Sequence, residues 1–172
     1  MTRLIYETHS TTEDNERGIA TGWLPGQLSE RGREESRELG LRWPDVDVVF
    51  SSDLRRAVNT VELSGLTVPH FVDWRLRECN YGELNGAPVG ELEPRVDRAH
   101  TPFPGGQSYG DVVELTRSFL ADVKRWYADA TVLVVAHSAN RWALDHLLGS
   151  GKPIEDLIES PFEWRPGWTY AL

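Results

Sequence analysis

The sequence has little cysteine and no long apolar run, and these absences exclude several classes of protein. Cys79 is the only cysteine among 172 residues, so the chain can form neither an internal disulfide nor a cysteine-rich zinc site. No stretch approaches the roughly 20 consecutive apolar residues of a membrane-spanning helix. The N-terminus also lacks the pattern of a secretory signal. We therefore expect a cytoplasmic protein with no membrane contact.

Positive charge is scarce as well. The chain has 18 lysine and arginine residues against 27 aspartate and glutamate residues, a formal net charge of -9. Such a chain repels a phosphate backbone at long range, so nucleic acid is not expected as a partner. His70, His100 and His146 have no metal-ligand spacing, so no metal is expected. Gly105-Gly106 lacks the Gly-Lys-Ser/Thr continuation of a nucleotide-binding loop, and a small anionic ligand would need a local positive pocket.

Apolar runs alternate with helical patterns, which predicts one α/β domain over residues 1–172. The predicted strands are Leu4–Tyr6, Val46–Phe50, His70–Val72 and Thr131–Ala136, with an edge strand at Thr169–Leu172. The predicted helices are Ser29–Arg42 with Ser29 as N-cap, a helix capped by Asp53 and ending near Ser64, Ser108–Tyr127 and Asn140–Leu148. The alternation predicts a three-layer α/β/α sandwich with a mainly parallel sheet. Residues 80–107 have Gly and Pro but little periodicity, which predicts a short lid-like excursion.

Two histidines, His9 and His137, directly follow predicted strands. In an open α/β sheet the ligand crevice lies beyond the carboxyl ends of the strands. A single histidine there is more often a packing residue, but two at equivalent strand ends favour a functional site. Arg55 and Arg56 follow the second strand, where a guanidinium can bind phosphate in bidentate fashion, although we interpret Arg55 as part of a solvated helix face. Glu78 follows the third strand, where partial desolvation would raise its affinity for a proton.

These residues lie in motifs that resemble those of the histidine phosphatase superfamily, also called phosphoglycerate-mutase-like. His9 stands where the family's Arg-His-Gly motif has its phosphorylated histidine, and Asn15 stands where the downstream asparagine falls. Ser52–Ala57 with Thr60 is similar to the pattern Ser-x-Leu-x-Arg-Ala-x-x-Thr, which makes Arg56 the phosphate-binding arginine. The first block continues with Thr21–Trp23 and Leu28–Gly32, and the other three blocks are Glu78 with Tyr81, Gly82 and Gly86, then Pro104–Ser108, and then His137. Five blocks in the family's order span nearly the whole chain.

The resemblance implies a two-step phosphoryl transfer without a metal or another cofactor. His9 would attack phosphorus to give a phosphohistidine while Glu78 protonates the departing oxygen, and water would then hydrolyse the intermediate. Arg56, His137 and Asn15 would stabilise the equatorial oxygens. One ring nitrogen of His9 is expected to donate to a backbone carbonyl, which leaves the other free to attack. The implied substrate or phosphate contacts are Thr8, Ser10, Asn15, Thr21, Gly22, Tyr81 and Ser138.

The chain departs from the family pattern at the phosphate. Thr8 replaces the motif's arginine and Ser10 its glycine, Ser138 replaces the glycine after the second histidine, and Gln107 replaces a glutamate. The pocket has therefore lost one fixed positive charge. The three hydroxyl groups could rebuild neutral hydrogen bonds to an anion, which would suit a substrate with less charge than a phosphate dianion.

Several interpretations remain open from the sequence. A phosphatase acting on small phosphate monoesters is favoured over a mutase, because residues 80–107 are too few and too poor in lysine and arginine to hold a bisphosphoglycerate. The alternatives are a weak or inactive relative that binds an anionic metabolite or partner, and altered chemistry on a non-standard substrate. Arg17 or Arg141 could supply the missing guanidinium. A homodimer is allowed, but no feature supports it.

Overall fold

Seven strands and six α-helices occur in the computed structural model of the chain, which describes residues 1–160 and 162–172. The strands are β1 (Arg3–Thr8), β2 (Ile19–Ala20), β3 (Val48–Ser51), β4 (His70–Val72), β5 (Ala87–Pro88), β6 (Thr131–Ala136) and β7 (Trp168–Ala171). The helices are α1 (Glu13–Arg17), α2 (Glu30–Arg42), α3 (Arg55–Ser64), α4 (Tyr109–Trp126), α5 (Ser138–Leu148) and α6 (Ile154–Glu159). None of the described helices combines the length and apolar character needed to cross a membrane.

Five strands form the main sheet in the order β4-β3-β6-β1-β7. All neighbours pair in parallel except β7, which runs antiparallel to β1 at the sheet edge. The side chains of β6 alternate between two cores. Val132 and Val134 lie in the core that contains Phe119 of α4 and Leu144 of α5. Leu133 and Val135 lie in the other core, with residues of α2 and α3. Helices therefore cover both faces of the sheet, and the predicted three-layer α/β fold with a mainly parallel sheet is confirmed.

The register of β1 and β6 places the two strand-end histidines next to each other. Thr8 pairs with Ala136 at the last position of the ladder, and the N–H of His9 donates to the carbonyl of Ala136 at 2.9 Å. His9 and His137 therefore leave adjacent strands at the same edge, as expected from their positions after two parallel strands.

Residues 80–107 form an irregular wall with little regular structure. The segment has 3-10 turns at Gly82–Leu84, Val89–Leu92 and Arg95–Arg98, and β5 pairs with β2 in a separate two-stranded sheet. Several of its apolar side chains are buried, and Tyr81 and Phe103 share a core with Tyr109 and Trp142 of α4 and α5. The segment is thus anchored on two helices beside the carboxyl edge of the main sheet.

The helix starts show one confirmed cap and one wrong prediction. Ser29 caps α2, and its hydroxyl accepts from the N–H of Gly32 at 3.1 Å. Asp53 does not cap α3: the N-cap residue is Leu54, which makes no side-chain cap bond. The carboxylate of Asp53 instead binds the guanidinium of Arg77 at 2.6 and 2.7 Å. A charge-assisted pair with a distant residue has replaced the local cap, since such bonds are stronger than neutral ones.

Candidate active site

A cavity of about 700 Å³ opens at the carboxyl edge of the main sheet. Its walls come from the end of β1, the α1–β2 region, α2, the irregular wall and the start of α5. The residues of the sequence-predicted site that line it are Thr8, His9, Asn15, Thr21, Gly22, Arg56, Glu78, Tyr81 and Ser138. Ser10 and His137 lie directly behind this surface, both buried.

His9 is held as a neutral imidazole with one free nitrogen. Its Nδ1 lies 2.8 Å from the carbonyl oxygen of Ser10, so Nδ1 carries the proton and Nε2 keeps its lone pair. The expected bond to a backbone carbonyl is therefore confirmed. Burial, together with the positive charge of Arg56, lowers the pKa of His9 to about 3, which keeps the ring uncharged at neutral pH.

His137 lies next to His9, with 5.1 Å between the ring centroids. Its Nε2 is 2.6 Å from the hydroxyl of Ser52. The same Ser52 oxygen accepts from the N–H of Leu54 at 3.3 Å, so Ser52 links the His137 ring to the turn before α3. The other ring nitrogen, Nδ1, is buried and has no hydrogen-bond partner among the described residues. Burial also lowers the pKa of His137 well below its usual value, so the ring is neutral.

Arg56 supplies a buried positive charge from the first turn of α3, with only 3% of its surface exposed. Its Nη2 donates to the carbonyl of Gly22 at 2.8 Å, and its Nη1 donates more weakly to the carbonyl of Leu24 at 3.4 Å. The guanidinium is thus fixed against the loop that resembles the family's substrate loop. An arginine has five N–H donors, so further donors remain for a bound anion.

The same loop is tied to the irregular wall on its other side. Gly22 has a φ of +57°, and a Cβ at this position would lie 1.8 Å from Oδ1 of Asn85. This Oδ1 accepts from the N–H of Tyr81 at 3.1 Å and from that of Trp23 at 3.4 Å. The hydroxyl of Thr21 donates to Asp14 at 2.8 Å. Only glycine fits the close approach at position 22, which explains its place in the motif.

Glu78 is a buried carboxyl held by three donors. Oε1 accepts from the N–H groups of Cys79 at 2.8 Å and Ala139 at 3.3 Å, and Oε2 accepts from the hydroxyl of Ser138 at 3.1 Å. The Glu78 carbonyl in turn accepts from Nε1 of Trp23 at 2.7 Å. Burial raises the pKa of Glu78 above its usual value, while the charge of Arg56 and these hydrogen bonds oppose the rise. A carboxyl in this setting can give and take a proton near neutral pH more readily than an exposed one.

The comparison with known proteins places this geometry in a family. Residues 8–161 match the model of the histidine phosphatase superfamily, branch 1. The chain belongs to this superfamily. It is 33% identical to putative phosphoserine phosphatase 2 of Hydrogenobacter thermophilus over 170 residues, covering 91% of the chain and 83% of that protein. Phosphoserine phosphatase 1 of the same organism is 31% identical over 153 residues, covering 80% and 72%.

A solved structure agrees with this assignment. The mycobacterial glucosyl-3-phosphoglycerate phosphatase Rv2419c, in complex with VO3, superposes with a TM-score of 0.75 at 29% identity, covering 91% of the chain and 85% of that structure. Relatives named as phosphatases thus occur both among the similar sequences and among the similar solved structures.

In this member of the histidine phosphatase superfamily, the hydroxyl groups of Thr8, Ser10 and Ser138 differ in what they contact. Thr8 lines the cavity, and its Oγ1 is buried with no hydrogen-bond partner among the described residues. The Ser10 hydroxyl accepts from the hydroxyl of Ser36 at 2.9 Å and faces α2. The Ser138 hydroxyl donates to Glu78. Of the three, Thr8 is the one with an unused polar atom.

Neither arginine that the sequence offered as a replacement reaches the cavity. Arg17 is exposed and pairs with Glu13 at 3.5 Å. Arg141 pairs with Asp145 at 3.3 Å and stacks over Trp168 at 4.9 Å, where it lines a separate pocket. Neither residue lines the cavity in this structure, which argues against the idea that one of them restores the missing guanidinium.

Several cavity residues were not predicted from the sequence, namely Arg31, Glu34, Glu35, Glu38, Arg95, Phe162 and Trp164. Of these, Arg31, Glu34, Glu38 and Trp164 are exposed, so they lie at the open, outer end of the cavity. The acidic i, i+4 spacing of Glu34 and Glu38 is visible in the sequence and places them on one face of α2, but nothing local shows that this face borders a cavity. Among the described residues, no group of three or more histidine, cysteine or carboxylate side chains is arranged to hold a metal ion.

Cys79 is a buried packing residue. Its thiol points to the carbonyl of Gln107 at 3.7 Å. Burial raises the pKa of this thiol far above its usual value, and the neighbouring Glu78 adds to the effect. The thiolate needed for nucleophilic attack is therefore disfavoured, in agreement with the structural interpretation made from the sequence.

Proposed function

We propose that the chain is a phosphatase that hydrolyses small phosphate monoesters through a phosphohistidine on His9. The observation that carries the proposal is the meeting of a neutral His9, a buried Arg56 and a buried Glu78 at one cavity, with His137 beside His9. Four groups far apart in the sequence thus meet where a nucleophile, a cation and a proton donor are needed for phosphoryl transfer.

In the first step, the Nε2 lone pair of His9 attacks phosphorus in line with the leaving oxygen. The N–P bond forms as the bond to the leaving oxygen breaks, and the carboxyl of Glu78 gives its proton to that oxygen. Arg56 and His137, with the ring proton of His137 on Nδ1 in this proposal, donate to the equatorial oxygens, where charge is held during the transfer. Because these donors are fixed before the substrate arrives, little reorganisation is needed.

In the second step, a water molecule replaces the departed product. The Glu78 carboxylate takes a proton from this water as its oxygen attacks phosphorus, and the bond from phosphorus to Nε2 of His9 breaks. Inorganic phosphate leaves, His9 returns to its neutral form, and Glu78 is protonated again for the next turnover.

The size of the cavity and the names of the relatives support a phosphorylated small molecule as the substrate. A volume of about 700 Å³ lies within the usual range for small-molecule sites. The relatives named above are phosphoserine phosphatases and a glucosyl-3-phosphoglycerate phosphatase, whose named substrates are phosphorylated small molecules.

The phosphohistidine can be trapped directly. The wild-type chain is mixed with a substrate found in a screen of phosphorylated metabolites, quenched in base within milliseconds and analysed by peptide mass spectrometry. We expect a phosphate group on His9 that is lost in acid, because the N–P bond is acid-labile. His70, His100 and His146 serve as internal controls that stay unmodified. Steady turnover with no phosphorylated His9 peptide would contradict the covalent route.

The pH profile tests the role of Glu78 through Ser138. Glu78 must hold a proton to act as the acid, so the rate of the first step falls as pH rises through the pKa of Glu78 in the folded protein. The Ser138 hydroxyl stabilises the carboxylate and so lowers this pKa. We therefore expect Ser138→Ala to move the basic limb of kcat/KM to higher pH. Ser150→Ala, a change at an exposed serine, should leave the limb in place, and an unshifted Ser138→Ala limb would speak against Glu78 as the acid.

A second candidate function is favoured by Thr8. With its Oγ1 buried and unpartnered, the phosphate end of the cavity has one cation fewer than the family motif provides. A binding protein for an anionic metabolite would show saturable binding of that metabolite with no turnover. Glu78 argues against this candidate, since a protein that only binds an anion gains nothing from a buried carboxyl at the site.

A further inference from the structure

The outer end of the cavity has two carboxylates that the proposed mechanism does not use. Glu34 and Glu38 lie one turn apart on α2, line the cavity and are exposed. Neither forms a salt bridge with any described residue. Glu35, between them in sequence, is already occupied: it accepts from the N–H of Thr11 at 2.9 Å, from the Thr11 hydroxyl at 3.1 Å and from Arg31 at 2.9 Å.

The cations of the outer cavity do not balance these two charges. Arg31 pairs with Glu35, and Arg95 pairs with Glu93. Each of these pairs is neutral as a unit, so Glu34 and Glu38 leave the entrance with a net negative charge. A phosphate dianion with a neutral or acidic leaving group would be repelled there, by an interaction that is strongest at low ionic strength.

An apolar and aromatic surface also borders the outer cavity. Trp164, with 57% of its surface exposed, and Phe162 contribute to the lining, together with Val89 and Leu92. The face of an indole ring attracts an organic cation, most strongly when the cation is partly desolvated. Carboxylates and an exposed indole in one cavity are thus suited to an ammonium group on a small organic body.

The inner end of the cavity, next to His9, has less positive charge than the family motif provides, and this also favours a substrate with an ammonium group. Arg56 is the buried cation next to His9, Thr8 stands where the family motif has a further arginine, and Thr8 Oγ1 has no partner among the described residues. A monoester dianion that also bears an ammonium group has a net charge closer to what this inner end can balance. Two separate features, one fewer cation inside and two unpaired carboxylates outside, therefore favour the same kind of substrate.

We propose, on the basis of the phosphatase function above, that the substrate is a phosphate monoester whose leaving group carries a positively charged amine. Glu34 and Glu38 bind the ammonium group at the cavity entrance, and Trp164 contacts its organic part. The phosphoryl group then lies between His9 and Arg56, at the other end of the cavity.

A matched pair of substrates tests this assignment. Tyramine phosphate and para-ethylphenyl phosphate have nearly the same aryl leaving group and differ in one ammonium group, so a difference in kcat/KM reports recognition of the charge. We expect the wild-type protein to favour tyramine phosphate by about tenfold at low salt, since each partly exposed charge pair contributes less than about 1 kcal/mol. The preference should shrink as ionic strength rises.

Two double variants identify the carboxylates. Glu34→Gln/Glu38→Gln should bring the ratio of the two kcat/KM values close to one, because it lowers kcat/KM for tyramine phosphate and raises kcat/KM for para-ethylphenyl phosphate, which is no longer repelled. Glu30→Gln/Glu62→Gln removes the same charge from residues that do not line the cavity, and it should keep the preference. A ratio that survives in the first double variant overturns the assignment to Glu34 and Glu38.

The outcomes also separate this inference from the proposed function. Equal hydrolysis of both substrates by the wild-type protein, or a preference for the neutral one, overturns the amine assignment and leaves the phosphatase in place. Hydrolysis of neither these two nor any other monoester overturns the phosphatase function and the amine assignment with it.

Discussion

Replacing His9 by alanine is expected to reduce phosphatase turnover by about 10³-fold or more, since it removes the proposed nucleophile. The remaining groups, Arg56, His137 and Glu78, would still bind the phosphoryl group, so KM or the affinity for phosphate should change much less than kcat. In the proposed mechanism His9 supplies only Nε2 to the reaction, because its Nδ1 is bonded to the Ser10 carbonyl. The measurement is kcat and KM on the best monoester from the screen, together with the thermal midpoint of unfolding.

The chain offers a matched control for this variant. His100 is an exposed histidine, with 67% of its side chain accessible, and pairs with Glu155 far from the cavity. His100→Ala removes the same atoms and should keep full activity. A folded His9→Ala protein that retains more than about a tenth of the wild-type rate would show that phosphorus is attacked by another group, such as a water molecule activated by Glu78, because loss of a covalent nucleophile has a far larger effect.

The regular part of the fold could be predicted from local patterns. The run TVLVVA gave β6 with its observed bounds, Thr131–Ala136, and His70–Val72 is likewise a strand as predicted. A fully apolar run such as that of β6 is typical of a strand buried on both faces. The short elements α1 and α6 were missed, since five or six residues carry too little periodicity to be recognised. The strand β3 begins at Val48 instead of Val46, an uncertainty typical of element ends.

The motif residues of the site could be predicted because the sheet topology carries them to one edge. His9 and His137 each follow a strand, and parallel pairing of β1 with β6 then makes them neighbours. The supporting contacts were not visible in the sequence. The hydroxyl of Ser52 orients His137, and the indole of Trp23 holds the Glu78 backbone. Such contacts depend on how separate segments pack, which neither periodicity nor a motif specifies.

Two predictions, for Asp53 and Arg141, were wrong because each side chain contacts a residue that is distant in the sequence. Asp53 is well placed to cap α3, but it binds Arg77, and the hydrogen bonds and charge of that arginine lower the pKa of Asp53. Arg141 is close to His137 along the chain, yet it stacks over Trp168 at the antiparallel edge strand. In both cases the side chain contacts a residue about 25 positions away in the sequence, and the position of that residue is set by the tertiary fold.

Thr8→Arg is the second change with a large expected effect. Thr8 ends β1, lines the cavity and has a buried, unpartnered Oγ1, so an arginine here would place a second guanidinium beside the phosphoryl oxygens. A preorganised donor of this kind is typically worth 10²- to 10³-fold in rate. We therefore expect turnover of simple dianionic monoesters such as para-ethylphenyl phosphate to rise by roughly that factor, and tungstate to bind more tightly. Thr8→Gln, which adds donors without charge, is the matched control and should give little gain.

The same substitution should make the empty protein less stable. A second guanidinium near Arg56 is buried with no anion to balance it, and two like charges in a partly desolvated site repel each other. The thermal midpoint of Thr8→Arg should fall below that of the wild type in phosphate-free buffer and rise steeply when tungstate is added, whereas Thr8→Gln should respond weakly. If wild type is inert and Thr8→Arg alone gains turnover, the chain is a weakened relative that binds its ligand. If Thr8→Arg changes neither turnover nor tungstate affinity, charge at position 8 does not control this site, and the inner half of the argument for an amine-bearing substrate fails with it.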